Sequence, residues 1–343
     1  MGLKFKIKHR RPAKYRIMLC KNRVYSELCT LVKKSVIFGL ENLTSKGFVL
    51  TQGTFDGVHR GHQQVLNQVL QEAKSRNLPS MLLTFHPHPR TVVQPKDWNP
   101  QILNSIEEKA QRVLDLGIDV VLVLDFTKEI SEYSPREFVE RILVEAIGAK
   151  SIVVGYDHRF GKNREGKFEN LTSLSKEFQF TVNEIAAKEI DDIAISSTRI
   201  RSSLVNGDLN IANDLLGYHY PLSGKVIHGE KRGRTIGFPT ANIEIEDSNK
   251  LIPPNGVYAG LTTIDGSTYP VVMNIGTRPT LNGTDRRIEA HIIGLDGDLY
   301  NQRIQLHLVS FLRNERKFEN LDALKNQIQQ DLNEALQIIG IQK

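Results

Sequence analysis

Cysteine is scarce. Two residues in 343, Cys20 and Cys29, cannot form a disulfide framework, and a reducing, cytoplasmic setting fits that usage. Long apolar runs are missing too. A membrane helix needs about 20 consecutive apolar residues, and the purest stretch, residues 120–124, is closed by Asp119 and Asp125. The start of the chain alternates lysine with apolar side chains and builds no apolar core, so no secretory signal is expected. Repeats and low-complexity tracts are also absent. With 40% apolar residues, 24% charged residues, 25 glycines and 13 prolines, the chain is neither collagen-like nor largely disordered. Its length makes two domains the default expectation.

The net charge of +6 would suit a nucleic-acid binder if it were spread over a surface. It is not. Residues 1–34 hold seven lysines, four arginines and one glutamate, a local balance of +10, which leaves the other 309 residues at −4. Both cysteines lie in the same segment. We expect residues 1–34 to be a disordered or dispensable basic extension, and expect no nucleic-acid or membrane partner for the rest.

From residue 48 to about 185, β-rich runs alternate with helical patterns. Residues 48–51, 81–85, 120–124 and 152–154 read as strands, and 61–76, 105–116 and 135–147 as helices. The last of these starts on a capping box, with Ser134 as N-cap, Pro135 at N1 and Glu137 at N3. Strand–helix alternation with apolar strands implies a Rossmann-like parallel sheet with helices on both faces. After about residue 217 the pattern changes. Residues 222–228, 242–245, 257–263, 269–275, 288–293 and 303–312 form short strands between Gly, Pro, Asn and Asp turns, which suggests a small antiparallel β-barrel. A final helix carries Leu321, Leu324, Ile328, Leu332 and Leu336 on one stripe, expected to pack on the barrel. The expected divisions are 1–34, 35–210 and 217–343, with the boundary near 205–220.

The sharpest feature of the first half is Gln52-Gly53-Thr54-Phe55-Asp56-Gly57-Val58-His59-Arg60-Gly61-His62, between a strand and a helix. In an open parallel sheet, ligands bind at such turns. Gly53 and Gly57 allow close backbone approach, and the helix start offers free N–H groups to an anion. Imidazoles at His59 and His62 add donors that can stabilise charge on a phosphate as pyrophosphate leaves. Two histidines without a nearby cysteine make a poor zinc site. Further on, Ser196-Ser197-Thr198-Arg199-Ile200-Arg201 sets hydroxyls before guanidinium groups at a helix start, suited to phosphate oxygens. Alternatively, Ser197 or Thr198 simply caps the helix.

These motifs together resemble the nucleotidylyltransferase domain of the bacterial bifunctional riboflavin kinase/FAD synthetase family. The resemblance implies ATP contacts from Gly53, Phe55, Asp56, Gly57, His59, His62, Ser197, Thr198 and Arg201. The segment Thr84-Phe85-His86-Pro87-His88-Pro89 is similar to one that borders the flavin, implying roles for Phe85, Pro87, His88 and Pro89. The loop Gly155-Tyr156-Asp157-His158-Arg159-Phe160-Gly161 is similar to another family segment and implies a flavin contact for Asp157. The chain departs from the family pattern at His86, usually acidic, and at His158, usually phenylalanine. The implied reaction is FMN + ATP → FAD + pyrophosphate, with Mg²⁺ bridging phosphate oxygens.

In the second half, residues 228–242 form a Gly- and base-rich loop running into a strand. Gly229, Lys231, Gly233, Arg234 and Gly237 suit a phosphate cradle; a surface hairpin with solvated charges is the alternative. Walker spacing is missing. Pro239-Thr240-Ala241-Asn242 resembles the P-T-A-N motif of riboflavin kinases, which implies that Thr240 and Asn242 hold Mg²⁺ and ATP. Met273-Asn274-Ile275-Gly276-Thr277-Arg278-Pro279-Thr280 is similar to another segment of that family and implies flavin contacts from Asn274 and Arg278. Glu289, a lone carboxylate in an apolar strand, matches the family's general base, which would take the ribityl 5′-OH proton. Its alternation with Ile288 also suits a plain outward strand residue. The expected function is therefore riboflavin + ATP → FMN + ADP in the barrel and FMN + ATP → FAD in the sheet domain. Substrates would be riboflavin, FMN and ATP.

Overall fold

The computed structural model describes residues 34–93, 101–185, 195–229, 233, 236–280 and 283–340. All but Lys34 of the basic extension thus lies outside the described residues. Six parallel strands form one sheet in the order β1-β4-β3-β2-β5-β6. They are β1 (Ser35–Phe38), β2 (Val49–Gln52), β3 (Ser80–His86), β4 (Val120–Asp125), β5 (Ser151–Gly155) and β6 (Thr181–Ile185). The two edge strands lack a simple sequence signature: β1 has four residues, and β6 reads Thr-Val-Asn-Glu-Ile.

Alternation along the buried strands divides the core into two layers. Phe48, Leu50, Met81, Leu83 and Leu122 face one side, where Val139 and Leu143 pack with Leu171. Val49, Leu82, Val121 and Val153 face the other, under Leu66 and Val69 of α1 (Arg60–Arg76). Short α2 (Pro89–Val93) follows β3, and α3 (Ile106–Asp115) packs Ile106, Ala110 and Val113 into the second layer. After α4 (Lys128–Ser131), α5 (Pro135–Glu137) begins on the expected capping box. It continues in wider turns over Phe138–Ala146, with Ile147 N bonding Ile142 O. Next come α6 (Phe168–Phe178), α7 (Ser197–Val205) and α8 (Leu209–Leu216), and Gly217 closes α8 in the left-handed conformation.

The second half is a closed antiparallel barrel in the order β10-β11-β8-β7-β12-β9. Its strands are β7 (Tyr220–Ile227), β8 (Ala241–Glu244), β9 (Gly256–Ile264), β10 (Ser267–Thr280), β11 (Gly283–Ile292) and β12 (Arg303–Arg313). The interior is filled by residues such as Leu222, Ile243, Met273, Ile275, Ile288 and Leu306, and this cluster extends to Ile200, Leu204 and Leu216 of α7 and α8. The final helix, α9 (Leu321–Ile339), lays Leu332 and Ala335 on Val257, Ala259 and Val272 of the barrel's outer face. Its stripe is shorter than expected. Leu321 is 58% exposed, because the contact begins two turns later, near Ile328.

A buried polar joint links the halves. Lys250, between β8 and β9, pairs with Glu108 of α3 at 2.6 Å and donates to Leu103 O at 2.5 Å. Ser223 N of β7 donates to the other Glu108 oxygen, and Ile102 and Lys250 form a backbone bridge.

Candidate active sites

The first site lies where the sheet order reverses. The chain moves from β2 outward through β3 to β4, then returns to β5 on the other side of β2. Loops at the C-terminal ends of the neighbouring strands β2 and β5 leave in opposite directions at such a switch point and open a crevice. The turn after β2 is strained. Phe55 and Val58 hold φ of 45° and 35°, beside Gly57 at 87°, and Val58 is β-branched, for which this region is a true outlier.

Side-chain donors hold the turn. Ser197 Oγ donates to Asp56 O, Tyr218 Oη to Gly57 O and Gln63 Nε2 to Val58 O, at 2.8, 2.6 and 2.8 Å. The Asp56 carboxylate is buried and fully engaged. It accepts from Leu103 N at 2.9 Å, Asn104 N at 3.2 Å and Arg201 Nη2 at 2.5 Å. A Cβ on Gly57 would lie 2.7 Å from Leu103 Cδ1, so only glycine fits there.

His59 is the N-cap of α1. Its Nδ1 accepts from His62 N at 3.3 Å, which leaves the Nε2–H of the neutral ring as a donor. His62 stacks on it with ring centroids 3.6 Å apart, and Phe55 packs on His62 at 4.6 Å. Burial lowers the His59 pKa to about 4, with Asp56 opposing the shift, and holds that of His62 well below its ordinary value. Both imidazoles are therefore neutral donors near pH 7, not fixed positive charges.

Gly53, at φ 156°, lets its backbone pass under the Phe55 ring. Ser196, one residue earlier than either alternative in the sequence reading, caps α7 through Arg199 N. Thr198 is exposed at the same helix start. Phe85, Pro87 and His88, with Asp56 and Lys109, line a pocket of about 50 Å³ beside the turn. Pro89 opens α2 next to it. Through His86 and Pro87 this pocket meets a cleft of about 410 Å³ between sheet and barrel, lined also by Ser105, Asp247 and Arg303. Asp157 stands exposed on its loop. The inward residue there is His158, whose Nε2 lies 3.2 Å from Gln52 Nε2 and whose ring stacks on Phe160.

The second site lies on the barrel's outer face. Register pairs Asn242 of β8 with Glu289 of β11, and Glu289 with Asn274 of β10. These residues alternate with Ile243, Ile288, Ala290, Met273 and Ile275, which fill the interior, so the three polar side chains share the outer face. Glu289 is half-buried, and its carboxylate has no hydrogen bond or ion pair among the described residues. Asn274 Nδ2 donates to Glu315 Oε1 at 3.0 Å. A Cβ on Gly229 would collide with the Asn242 amide, and one on Gly233 with Phe238 O, 3.3 Å from Thr240 Oγ1. The backbone at Gly229 and Gly233 thus lies against both motif side chains, and Gly237 turns at φ 91°. Lys231, Arg234 and the side chain of Arg278 lie outside the described residues.

Four further residues shape these sites. Lys109 is buried beside the histidine turn, and Tyr218 pins it. His291 Nδ1 donates to Pro239 O at 2.7 Å and fixes the Pro-Thr-Ala-Asn loop, while Glu315 holds Asn274. Only Lys109 left a sequence trace, as a cation on the apolar stripe of Ile106, Ala110 and Val113. The others are brought in by tertiary structure.

A family model described as FAD synthetase matches residues 41–199, and one described as riboflavin kinase matches residues 216–339. The chain belongs to the bifunctional riboflavin kinase/FMN adenylyltransferase family. The member from Escherichia coli K12 is 38% identical over 312 residues, which cover 90% of this chain and 99% of that protein. The Haemophilus influenzae member is 39% identical over 303 residues, covering 88% and 97%. A crystal structure described as a macrolide-efflux protein from Streptococcus pneumoniae is also similar, with a TM-score of 0.77 and 28% identity over 88% of this chain and 98% of that one. Among the described residues no helix is long and apolar enough to cross a membrane. In this bifunctional family member, the adenylyltransferase match covers the histidine turn and the kinase match covers the Asn242–Glu289–Asn274 row.

Proposed function

We propose that residues 217–343 phosphorylate riboflavin and residues 35–210 adenylylate the resulting FMN, in the cytoplasm, with residues 1–34 outside both activities. The strained, over-supported turn at His59 and His62 carries the second assignment, and Glu289 between Asn242 and Asn274, with no hydrogen bond or ion pair among the described residues, carries the first.

In the adenylyltransferase, the Nε2–H of His59, the stacked His62 and the N-termini of α1 and α7 hold the triphosphate. Thr198 is free to join them, whereas Asp56 and Ser197 act by holding the turn. Arg201 contributes from its ion pair with Asp56. Phe85, Pro87, His88 and Pro89 border the flavin, with Asp157 at the outer rim. An FMN phosphate oxygen attacks the α-phosphorus in line and pyrophosphate departs. No protein nucleophile is needed, so positioning and preorganised donors supply the rate.

In the kinase, Glu289 takes the ribityl 5′-OH proton as that oxygen attacks the γ-phosphorus, and ADP leaves. The loop around Gly229, Lys231, Gly233, Arg234 and Gly237 encloses the phosphates, and Asn274 and Arg278 orient the flavin. Thr240 and Asn242 offer a hydroxyl and an amide oxygen, hard donors that fit Mg²⁺. When bound there, Mg²⁺ neutralises charge on the ATP phosphates.

Incubation with riboflavin, ATP and Mg²⁺, followed by chromatography of the flavins, tests the reading. FMN should appear first and FAD after it. Folded protein that makes neither product refutes the assignment.

A further inference from the structure

Lys109 is a buried cation with little to bind it. The residue is 6% exposed, and its one hydrogen bond among the described residues is a long one, 3.3 Å to Thr84 Oγ1. That hydroxyl in turn reaches Thr54 O of the histidine turn. An ammonium has three donors and costs several kcal/mol to desolvate. A group left so poorly satisfied is a reservoir for a ligand's charge.

Its place says which ligand. Lys109 lines the small pocket together with Asp56 on one side and Phe85, Pro87 and His88 on the other. The first side belongs to the triphosphate turn and the second to the flavin segment. Between them, the phosphate of FMN must meet the α-phosphate of ATP. The charge brought together there is large, and the neighbours supply little to offset it. His59 and His62 are neutral, and Arg201 is shared with Asp56 and Gln101 O.

We propose that Lys109 is a catalytic residue of adenylyl transfer, its ammonium contacting the phosphoryl oxygens where the FMN phosphate joins the ATP α-phosphorus. This rests on the adenylyltransferase reading of the sheet domain. In the step, an FMN phosphate oxygen forms the new bond to the α-phosphorus. The bond from that phosphorus to the bridging oxygen breaks, and pyrophosphate leaves with the electron pair. No proton is transferred, so Lys109 acts as a fixed charge. Burial lowers its pKa to about 8, with Asp56 opposing the shift, and the group stays mostly protonated near neutrality.

The test uses full-length Lys109→Met and Lys109→Arg, assayed for FMN formation from riboflavin, for FAD formation from supplied FMN, and for thermal midpoint. Lys109→Met should lower FAD formation at least about 100-fold, chiefly in kcat. Its thermal midpoint should stay or rise, since an apolar chain of similar length replaces an underbonded buried charge. Lys109→Arg should recover part of the rate. FMN formation by the barrel is the internal control. FAD formation within about threefold of wild type in Lys109→Met overturns the proposal. So does a fall of activity and midpoint together in both variants, which assigns Lys109 a structural role. Wild-type protein that makes FMN but no FAD from supplied FMN refutes the adenylyltransferase reading instead.

Discussion

Lys250 belongs to the barrel, yet its removal should be felt in the adenylyltransferase. The side chains of Lys250 and Glu108 are 1% and 2% exposed, and the ammonium is held by Glu108, by Leu103 O and by the face of Tyr220 at 4.4 Å. Lys250→Met leaves Glu108 a buried anion without its cation. Breaking such a pair costs about 3–5 kcal/mol. Glu108 keeps two amide donors, Ser223 N at 2.9 Å and Ser105 N at 3.1 Å, which places the loss near the lower end. About 3 kcal/mol corresponds to a thermal midpoint roughly 6–12 °C lower for a unit of this size.

The functional consequence follows from Leu103. Its carbonyl loses its donor, while its amide and that of Asn104 hold the Asp56 carboxylate under the histidine turn. FAD formation should therefore fall more than FMN formation, although the substituted residue is in the kinase half. The double variant Glu108→Gln/Lys250→Met buries no lone charge and should recover most of the stability. Urea unfolding of the single and double variants, with both activities measured at a temperature where each is folded, checks this. A single variant with the wild-type midpoint, or a double variant losing the sum of the two single losses, refutes the reasoning.

His62→Ala removes an imidazole stacked on His59, and FMN should accumulate while FAD formation falls by about 100-fold or more, read by chromatography of the flavins. Glu289→Gln keeps the shape of the side chain but not its basicity, so FMN formation should collapse while conversion of supplied FMN to FAD stays near wild type. The buried His59 and the half-buried His158 have pKa values lowered to about 4, mainly by desolvation. Between that value and their unfolded value near 6.5 the unfolded chain binds more protons, so stability is complete above pH 6.5 and falls as pH drops. Each should cost about 1.4 kcal/mol at pH 5.5 relative to pH 8. Urea midpoints at the two pH values would show this, and an unchanged midpoint would mean the rings are solvated in the folded protein.

Much of the fold was legible because both periodicities are plain. The buried strands β2, β3, β4 and β5 are short apolar runs bounded by polar residues, and the barrel strands alternate cleanly. The edge strands β1 and β6 were not, because an edge strand need not bury both faces. The upper end of the α9 stripe misled for a related reason, since Leu321 has apolar spacing but no surface opposite it. At the sites, motifs pointed to His59, His62, Asn242 and Glu289, because chemistry fixes residue type and spacing within a few positions. Asp56 shows the limit of that logic. It sits inside the motif, but its carboxylate is taken up by two amides and a guanidinium from segments 47 to 145 residues away.

The strained turn explains why so much of the chain is needed for so short a motif. Left-handed backbone at Phe55 and Val58 costs about 1–3 kcal/mol each, and persists only where the surroundings over-determine it. Here the carbonyls of Asp56, Gly57 and Val58 are each taken by a donor from a different element: α7, the connection into the barrel, and α1. The Leu103 backbone fixes the Asp56 carboxylate and is itself fixed by Lys250 of the barrel. Even the side chain of Leu103, which excludes anything but glycine at position 57, belongs to the cluster that fills the barrel interior. The geometry of the first site is thus partly written in the second domain, which gives a physical reason for the two activities to share one chain.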